Sequence, residues 1–195
     1  MDHPTRRNLL VTGMAAAGSL GLIAPARAQA PLAATPECGD KATLKQTEGP
    51  FYKPRTPERA DLVETGMRGR VIELAGFVLT RDCRPVARAL VDLWQADEAG
   101  AYDNKGFRLR GHQYTDAQGR YRFRTIAPAA YVGRTRHFHV KVAAQPYRSV
   151  LTTQLYFPDE PGNARDGLFR KELLMRVATA GEGLAGRFDF VLEAG

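Results

Sequence analysis

The chain has 195 residues, 44% of them hydrophobic, with 12 prolines, 19 glycines and a formal net charge of +7. These figures exclude a disordered chain and leave room for one loop-rich domain with a short appendage. The positive balance is no nucleic-acid signature, because no Lys/Arg run interleaves with aromatics; it suits anionic small molecules drawn in by long-range steering.

The first thirty residues read as a secretory signal. Thr5-Arg6-Arg7-Asn8-Leu9-Leu10 opens them, an apolar run from Val11 to Ala24 follows, and Ala26-Arg27-Ala28-Gln29-Ala30 supplies a small-residue cleavage site. The apolar run is too short for a permanent membrane span, which needs roughly 20 residues. Arg6-Arg7 before two leucines fits the twin-arginine route, with an ordinary secretory signal as the alternative. Cleavage after Ala30 removes three arginines and one aspartate, a net of two, so +7 falls to +5. The expected location is periplasmic or secreted. In such a compartment Cys38 and Cys83 become a disulfide candidate, with two separate thiols as the alternative. A bridge between them would contribute ~3–4 kcal/mol in the chain-entropy model.

Residues 31–68 read as an extended N-terminal arm and 69–195 as a single domain. Within the arm, Thr47-Glu48-Gly49-Pro50-Phe51-Tyr52-Lys53-Pro54 is turn-rich and aromatic. Strands are predicted over 72–80, 89–94, 112–115, 121–126, 137–142, 150–157 and 188–192, with a hairpin turn at Asp116-Ala117-Gln118-Gly119. Residues 97–109 form a long loop, and 164–174 read as a short helix. Seven or so short strands with turns between them predict an all-β fold, a β-sandwich with long loops and one short helix.

His137-Phe138-His139 is the sharpest local feature. Successive strand side chains point to opposite faces, so the two histidines share one face, roughly 6–7 Å apart along the strand, and Phe138 joins Val140 and Val142 on the other. Two such imidazoles can converge on a metal or be a solvated, hydrogen-bonded pair. A metal would need further ligands. No cysteine cluster and no suitably spaced carboxylate accompanies the histidines; tyrosine is a candidate type, and Tyr102 and Tyr131 each sit in a loop beside a strand.

These pieces occur in a fixed order. Thr47-Glu48-Gly49-Pro50-Phe51-Tyr52 comes first, then Val91-Asp92-Leu93-Trp94-Gln95-Ala96 with Gly100-Ala101-Tyr102. Thr115 to Ile126, Pro128 to Tyr131, Arg134 to His139 and Thr153-Gln154-Leu155-Tyr156-Phe157 complete the set. In this the chain resembles the intradiol ring-cleavage dioxygenases, the family of protocatechuate 3,4-dioxygenase and catechol 1,2-dioxygenase. The resemblance implies a mononuclear non-haem Fe(III) cofactor held by Tyr102, Tyr131, His137 and His139, with Tyr131 and His139 axial. It implies that Arg134 stabilises developing negative charge and that Gln154 orients the ring or holds Arg134. It implies a small-molecule catechol and O2 as substrates. Tyr131 would leave the metal and accept a substrate proton, and a muconate-type diacid would be the product. Fe(III) is a hard ion that can hold a phenol ionised at neutral pH, and two phenolates offset two of its charges. That donor set differs from the two-histidine, one-carboxylate triad suited to Fe(II).

Tyr52 and His112 are further candidates for the pocket lining, Trp94 reads as packing, and Arg136 reads equally well as a surface charge. The loop from Tyr131 to His137 is shorter than in the best-known members. The chain also lacks their helical N-terminal dimerisation region, which leaves a homo-oligomer open. A periplasmic module that binds a metal or a phenol without turnover, or a copper protein built on the same histidines, is the alternative.

Overall fold

The computed structural model describes Met1, Cys38, 41–144 and 150–193. The expected signal sequence and its cleavage site lie outside the described residues. Nine strands follow in chain order: β1 (Val71–Thr80), β2 (Leu90–Trp94), β3 (Arg110–Tyr114), β4 (Arg120–Ile126), β5 (His137–Ala143), β6 (Val150–Tyr156), β7 (Arg176–Ala180), β8 (Gly183–Arg187) and β9 (Phe190–Leu192). They form two sheets. One runs β4-β1-β8-β7, with β9 parallel to the end of β1, and the other runs β3-β2-β5-β6.

The strand pattern follows from side-chain alternation. Along β1 every second residue, from Ile72 to Thr80, is buried, and the residues between are half-covered. The core lies between the sheets: Leu74, Val78 and Phe123 from the first meet Val91, Leu93, Phe138, Val140 and Leu155 from the second. The β3–β4 turn forms as its composition predicts. The Asp116 carboxylate accepts the amides of Gln118 at 2.9 Å and Arg120 at 2.8 Å. Gly119 takes φ +73°, and a Cβ there would stand 2.7 Å from the Val78 carbonyl oxygen.

Two features differ from the sequence reading. The helix expected over 164–174 is absent; a single 3-10 turn, Lys171–Leu173, replaces it. The Asp166 side chain is the reason, since it accepts the Leu168 amide at 2.9 Å and the Thr135 amide at 3.0 Å. A carboxylate that takes local amides offers the backbone an alternative to the helix ladder. The hairpin β7–β8 was not expected, because its residues are small and mostly half-exposed and give no alternating apolar signal. Among the described residues no helix is long and apolar enough to cross a membrane.

The arm is tied down along its length. Thr43 donates its amide to the Val191 carbonyl at 2.9 Å, and its hydroxyl accepts the Val191 amide at 2.8 Å. Gln46 bonds to Thr152, Arg59 to His112 and Leu62 to Arg124 through backbone groups. Cys38 and Cys83 are joined in a disulfide with their Cα atoms 5.3 Å apart, which fastens the start of the arm to the β1–β2 turn. The arm thereby crosses the face of the second sheet that points away from the core.

Candidate metal centre

On β5, Phe138, Val140 and Val142 point into the core, so His137 and His139 point out under the arm. Both histidines are nonetheless buried, at 2% and 1% exposure. The register sets His139 between Trp94 of β2 and Gln154 of β6, and His137 beside Tyr156. The Trp94 indole stacks on the His139 ring at 5.0 Å and 10°. Gly49 of the arm adopts φ +70° against the same imidazole, where a Cβ would come within 3.3 Å of His139 Cε1. The arm can approach this closely because that residue has no side chain.

Two loops bring the tyrosines. Asp97 accepts the Ala99 and Ala101 amides, each at 2.9 Å, and shapes the turn before Tyr102. The Tyr102 ring stacks on Phe51 at 4.4 Å and 16°. Tyr131 opens a tight turn closed by the Arg134 amide on the Tyr131 carbonyl at 2.8 Å, with Gly133 at φ +73°.

The four rings form a closed circuit. Tyr102 and Tyr131 are 5.7 Å apart, Tyr131 and His137 5.7 Å, His137 and His139 4.8 Å, and His139 and Tyr102 6.1 Å, centroid to centroid. The structure therefore brings together all four residues singled out in the sequence. His137 donates Nδ1–H to the Thr135 carbonyl at 2.6 Å, since a carbonyl can only accept. This fixes the tautomer and makes Nε2 the acceptor nitrogen, 3.1 Å from His139 Nε2. Two imidazole nitrogens that bind one ion side by side at ~2.1 Å each would stand about 3 Å apart. Among the described residues, the Tyr102 hydroxyl and His139 Nδ1 are buried with no hydrogen-bond partner.

The electrostatics point the same way. Burial holds the His137 imidazole down to about 4, and burial with the neighbouring His137 holds His139 well below its ordinary value. Both rings are neutral at pH 7 and carry a lone pair. Burial, with Tyr131 beside it, pushes the Tyr102 phenol well above its ordinary value. A phenol so placed ionises only against a strong local cation. Among the described residues no three of His, Cys, Asp and Glu are grouped to hold a metal. The phenols of Tyr102 and Tyr131 are the further donors that ring the two imidazoles, and two phenols with two neutral imidazoles would fit a hard, highly charged ion.

Arg134 and Gln154 lie beside this circuit in one network. Arg134 Nη2 donates to Gln154 Oε1, and its Nε reaches Asp166 Oδ2 at 2.9 Å. Gln154 donates to the Thr47 carbonyl at 3.0 Å and accepts the Tyr156 hydroxyl at 2.9 Å. Tyr52 and His112 sit one row away. Tyr52 packs on Trp94 at 4.8 Å, and His112 Nδ1 faces the Thr56 hydroxyl at 3.1 Å. Arg136 pairs with Glu160 at 3.2 Å on the other side of the strand. Phe51, Asp166 and Tyr156 were missed as parts of the site. Tyr156 was recoverable, since it shares a strand face with Gln154; Asp166 had no local signal.

Residues 47–194 match a family model described as "Dioxygenase". The chain is 32% identical over 188 residues to the protocatechuate 3,4-dioxygenase beta chain of Burkholderia cepacia, covering 78% of this chain and 80% of that one. It is 34% identical over 148 residues to the hydroxyquinol 1,2-dioxygenase of Rhizobium sp. (strain MTP-10005), covering 62% of this chain and 50% of the relative. The chain thus spans about half the length of the hydroxyquinol and catechol enzymes it matches. Among solved structures it superimposes on the dioxygenase domain of a dioxygenase carbohydrate-binding protein fusion from Streptomyces sp. SirexAA-E, with a TM-score of 0.77 and 52% identity. That match covers 80% of this chain and 100% of the other. A two-sheet, almost helix-free fold, a family match over most of the chain and relatives that share one type of ring opening agree, and the chain belongs to the intradiol ring-cleavage dioxygenases.

Proposed function

We propose that this protein opens a catechol-type ring between its two hydroxyl-bearing carbons, using a single non-haem ferric ion and both atoms of O2, to give a muconate-type diacid. The closed circuit of Tyr102, Tyr131, His137 and His139 carries this reading. The iron, when bound, supplies Lewis acidity that draws electron density from a bound catecholate and makes its ring reactive toward O2.

The protein's own residues divide the remaining work. His137 is locked by Thr135 and His139 is clamped between Trp94 and Gly49, so both are fixed donors. Tyr131 stands at the head of a turn whose next residue, Val132, is 98% exposed. That placement suits the phenolate that withdraws and takes a proton from an incoming catechol hydroxyl. Tyr102, stacked on Phe51, suits the one that stays. Arg134, held by Asp166 and Gln154, places a fixed positive charge beside Tyr131 to stabilise negative charge on the reacting oxygens. The relatives' names span protocatechuate, hydroxyquinol, catechol and chlorocatechol, and we place the substrate in that class. Export is part of the proposal, supported by the Cys38–Cys83 disulfide, a bond that persists in oxidising compartments.

A panel of catechols, followed by O2 uptake and product mass, tests this. The expected result is a burgundy ferric protein that inserts both oxygen atoms into an acyclic diacid. A yellow semialdehyde product, or a fully metallated protein that consumes no O2 with any catechol, overturns it.

A further inference from the structure

Arg110 opens β3 and is wholly buried, at 0% exposure. Its Nε donates to the Asp103 carbonyl at 3.1 Å, and its Nη1 donates to the Phe51 carbonyl at 2.6 Å. Those carbonyls belong to the residue after Tyr102 and to the residue whose ring stacks on Tyr102. One guanidinium therefore ties the loop that carries Tyr102, the arm that covers it and the strand beside Trp94. Its Cζ stands 6.0 Å from the centre of the Tyr102 ring. Nη2 is buried and has no hydrogen-bond partner among the described residues.

A buried guanidinium normally ends on a carboxylate, because an uncompensated charge away from water costs several kcal/mol. Here both hydrogen bonds go to neutral backbone carbonyls, and the Asp103 and Asp92 carboxylates act on the charge without bonding to it, as does the Tyr102 phenol. A phenolate ligand at Tyr102 would add to the negative charge that already faces Arg110 from Asp103 and Asp92. We infer that Arg110 is a positioning residue of the metal centre, which fixes the Tyr102–Phe51 stack by its two carbonyl bonds and sets its positive charge beside the Tyr102 ligand. The inference rests on the ferric reading above.

Three variants test it. Arg110→Gln keeps a donor and loses the charge, Arg110→Lys keeps the charge and loses the planar fork, and Arg120→Gln on the exposed β3–β4 turn controls for net charge. Each is loaded with Fe(III), and two properties are read: the visible phenolate-to-iron band and the rate of iron release to a chelator. Metal-free thermal melts establish folding. Arg110→Gln is expected to shift the band to longer wavelength, since a phenolate without a facing cation gives up its electron more readily. It is also expected to weaken iron retention roughly 10–100-fold, as loss of a supporting partner does. Arg110→Lys keeps the band position and still loses iron faster; Arg120→Gln matches the parent.

Band and release unchanged in a folded Arg110→Gln protein overturn the inference. If that variant does not fold, Arg110→Lys decides, and parental iron release in it overturns the inference equally. A parent protein with no phenolate band would instead fail the ferric reading, and the two failures are thus distinct.

Discussion

Asp166 grips Arg134 through a single nitrogen, with Nε 3.1 and 2.9 Å from the two carboxylate oxygens. The same carboxylate accepts the amides of Thr135 and Leu168. Asp166→Asn keeps the shape and removes the charge, so Arg134 is left without its counter-ion. Losing hydrogen bonds to a charged group is expected to cost ~2–3 kcal/mol in urea unfolding. Turnover should fall roughly 10-fold, a ~1.4 kcal/mol rise in the barrier, because the guanidinium is no longer aimed. Parental stability together with parental turnover would show that the grip is idle.

The clamp on His139 predicts the effect of one methyl group. Gly49→Ala forces a left-handed backbone on a residue with a Cβ, at about 1–2 kcal/mol, and pushes that Cβ to 3.3 Å from His139 Cε1. The metal-free protein should melt lower, and the ferric protein should release iron faster to a chelator. An alanine variant equal to the parent in both measurements rejects the close approach.

Acid stability should carry the mark of Asp103. The amides of Arg108 and Gly106, with that of Lys105, hold its carboxyl at about 2 against the opposing pull of burial. The unfolded value is about 3.9. The unfolded chain therefore binds more protons between those values, and stability rises with pH across them. The contribution is complete above about 4 and is lost as the pH falls toward 2. Denaturant titrations from pH 2 to 6 should show this slope, and Asp103→Asn should flatten it.

The disulfide predicts a redox-dependent stability. Cys38 and Cys83 close a 45-residue loop, and breaking a native bridge typically costs ~2–5 kcal/mol. Urea midpoints with and without dithiothreitol, or a Cys83→Ser variant, measure it. Coincident midpoints would mean that the arm is held by its backbone bonds alone.

Ferric ion should stabilise the folded chain by mass action, by ~2.7 kcal/mol at a free concentration of 100 Kd. His139→Ala, which opens the four-ring circuit, should abolish that gain while leaving the metal-free melt close to the parent or below it. A ferric-dependent rise in Tm that survives in the variant would place the ion elsewhere.

The legibility of this chain depended on range. His137 and His139 were readable as neighbours because a two-residue period is a local property of a strand. The β3–β4 turn was readable from Asp116 and Gly119 for the same reason. The tyrosines entered as candidates by residue type, and the family resemblance supplied their roles. What stayed hidden was long-range. Asp166 reaches back 32 residues to Arg134, and Arg110 reaches 59 residues to Phe51; no periodicity encodes such partners. The false helix over 164–174 came from the same blindness, since the carboxylate that takes its Leu168 amide also holds Thr135 and Arg134 some thirty residues back. The hairpin β7–β8 was missed because small side chains such as Ala178, Ala185 and Gly186 give no contrast between its faces.

The pairing of Thr43 with Val191 joins the beginning of the folded chain to one of its last strands. The segment leading from Thr43 also delivers Thr47 to Gln154, Gly49 to His139 and Phe51 to Tyr102. A ribosome-tethered chain that has not yet released residue 191 lacks this pairing, and the segment is then held only by its bonds to β6, such as Gln46 to Thr152, and by the Cys38–Cys83 bridge. That closing pair therefore forms only after synthesis has passed residue 191.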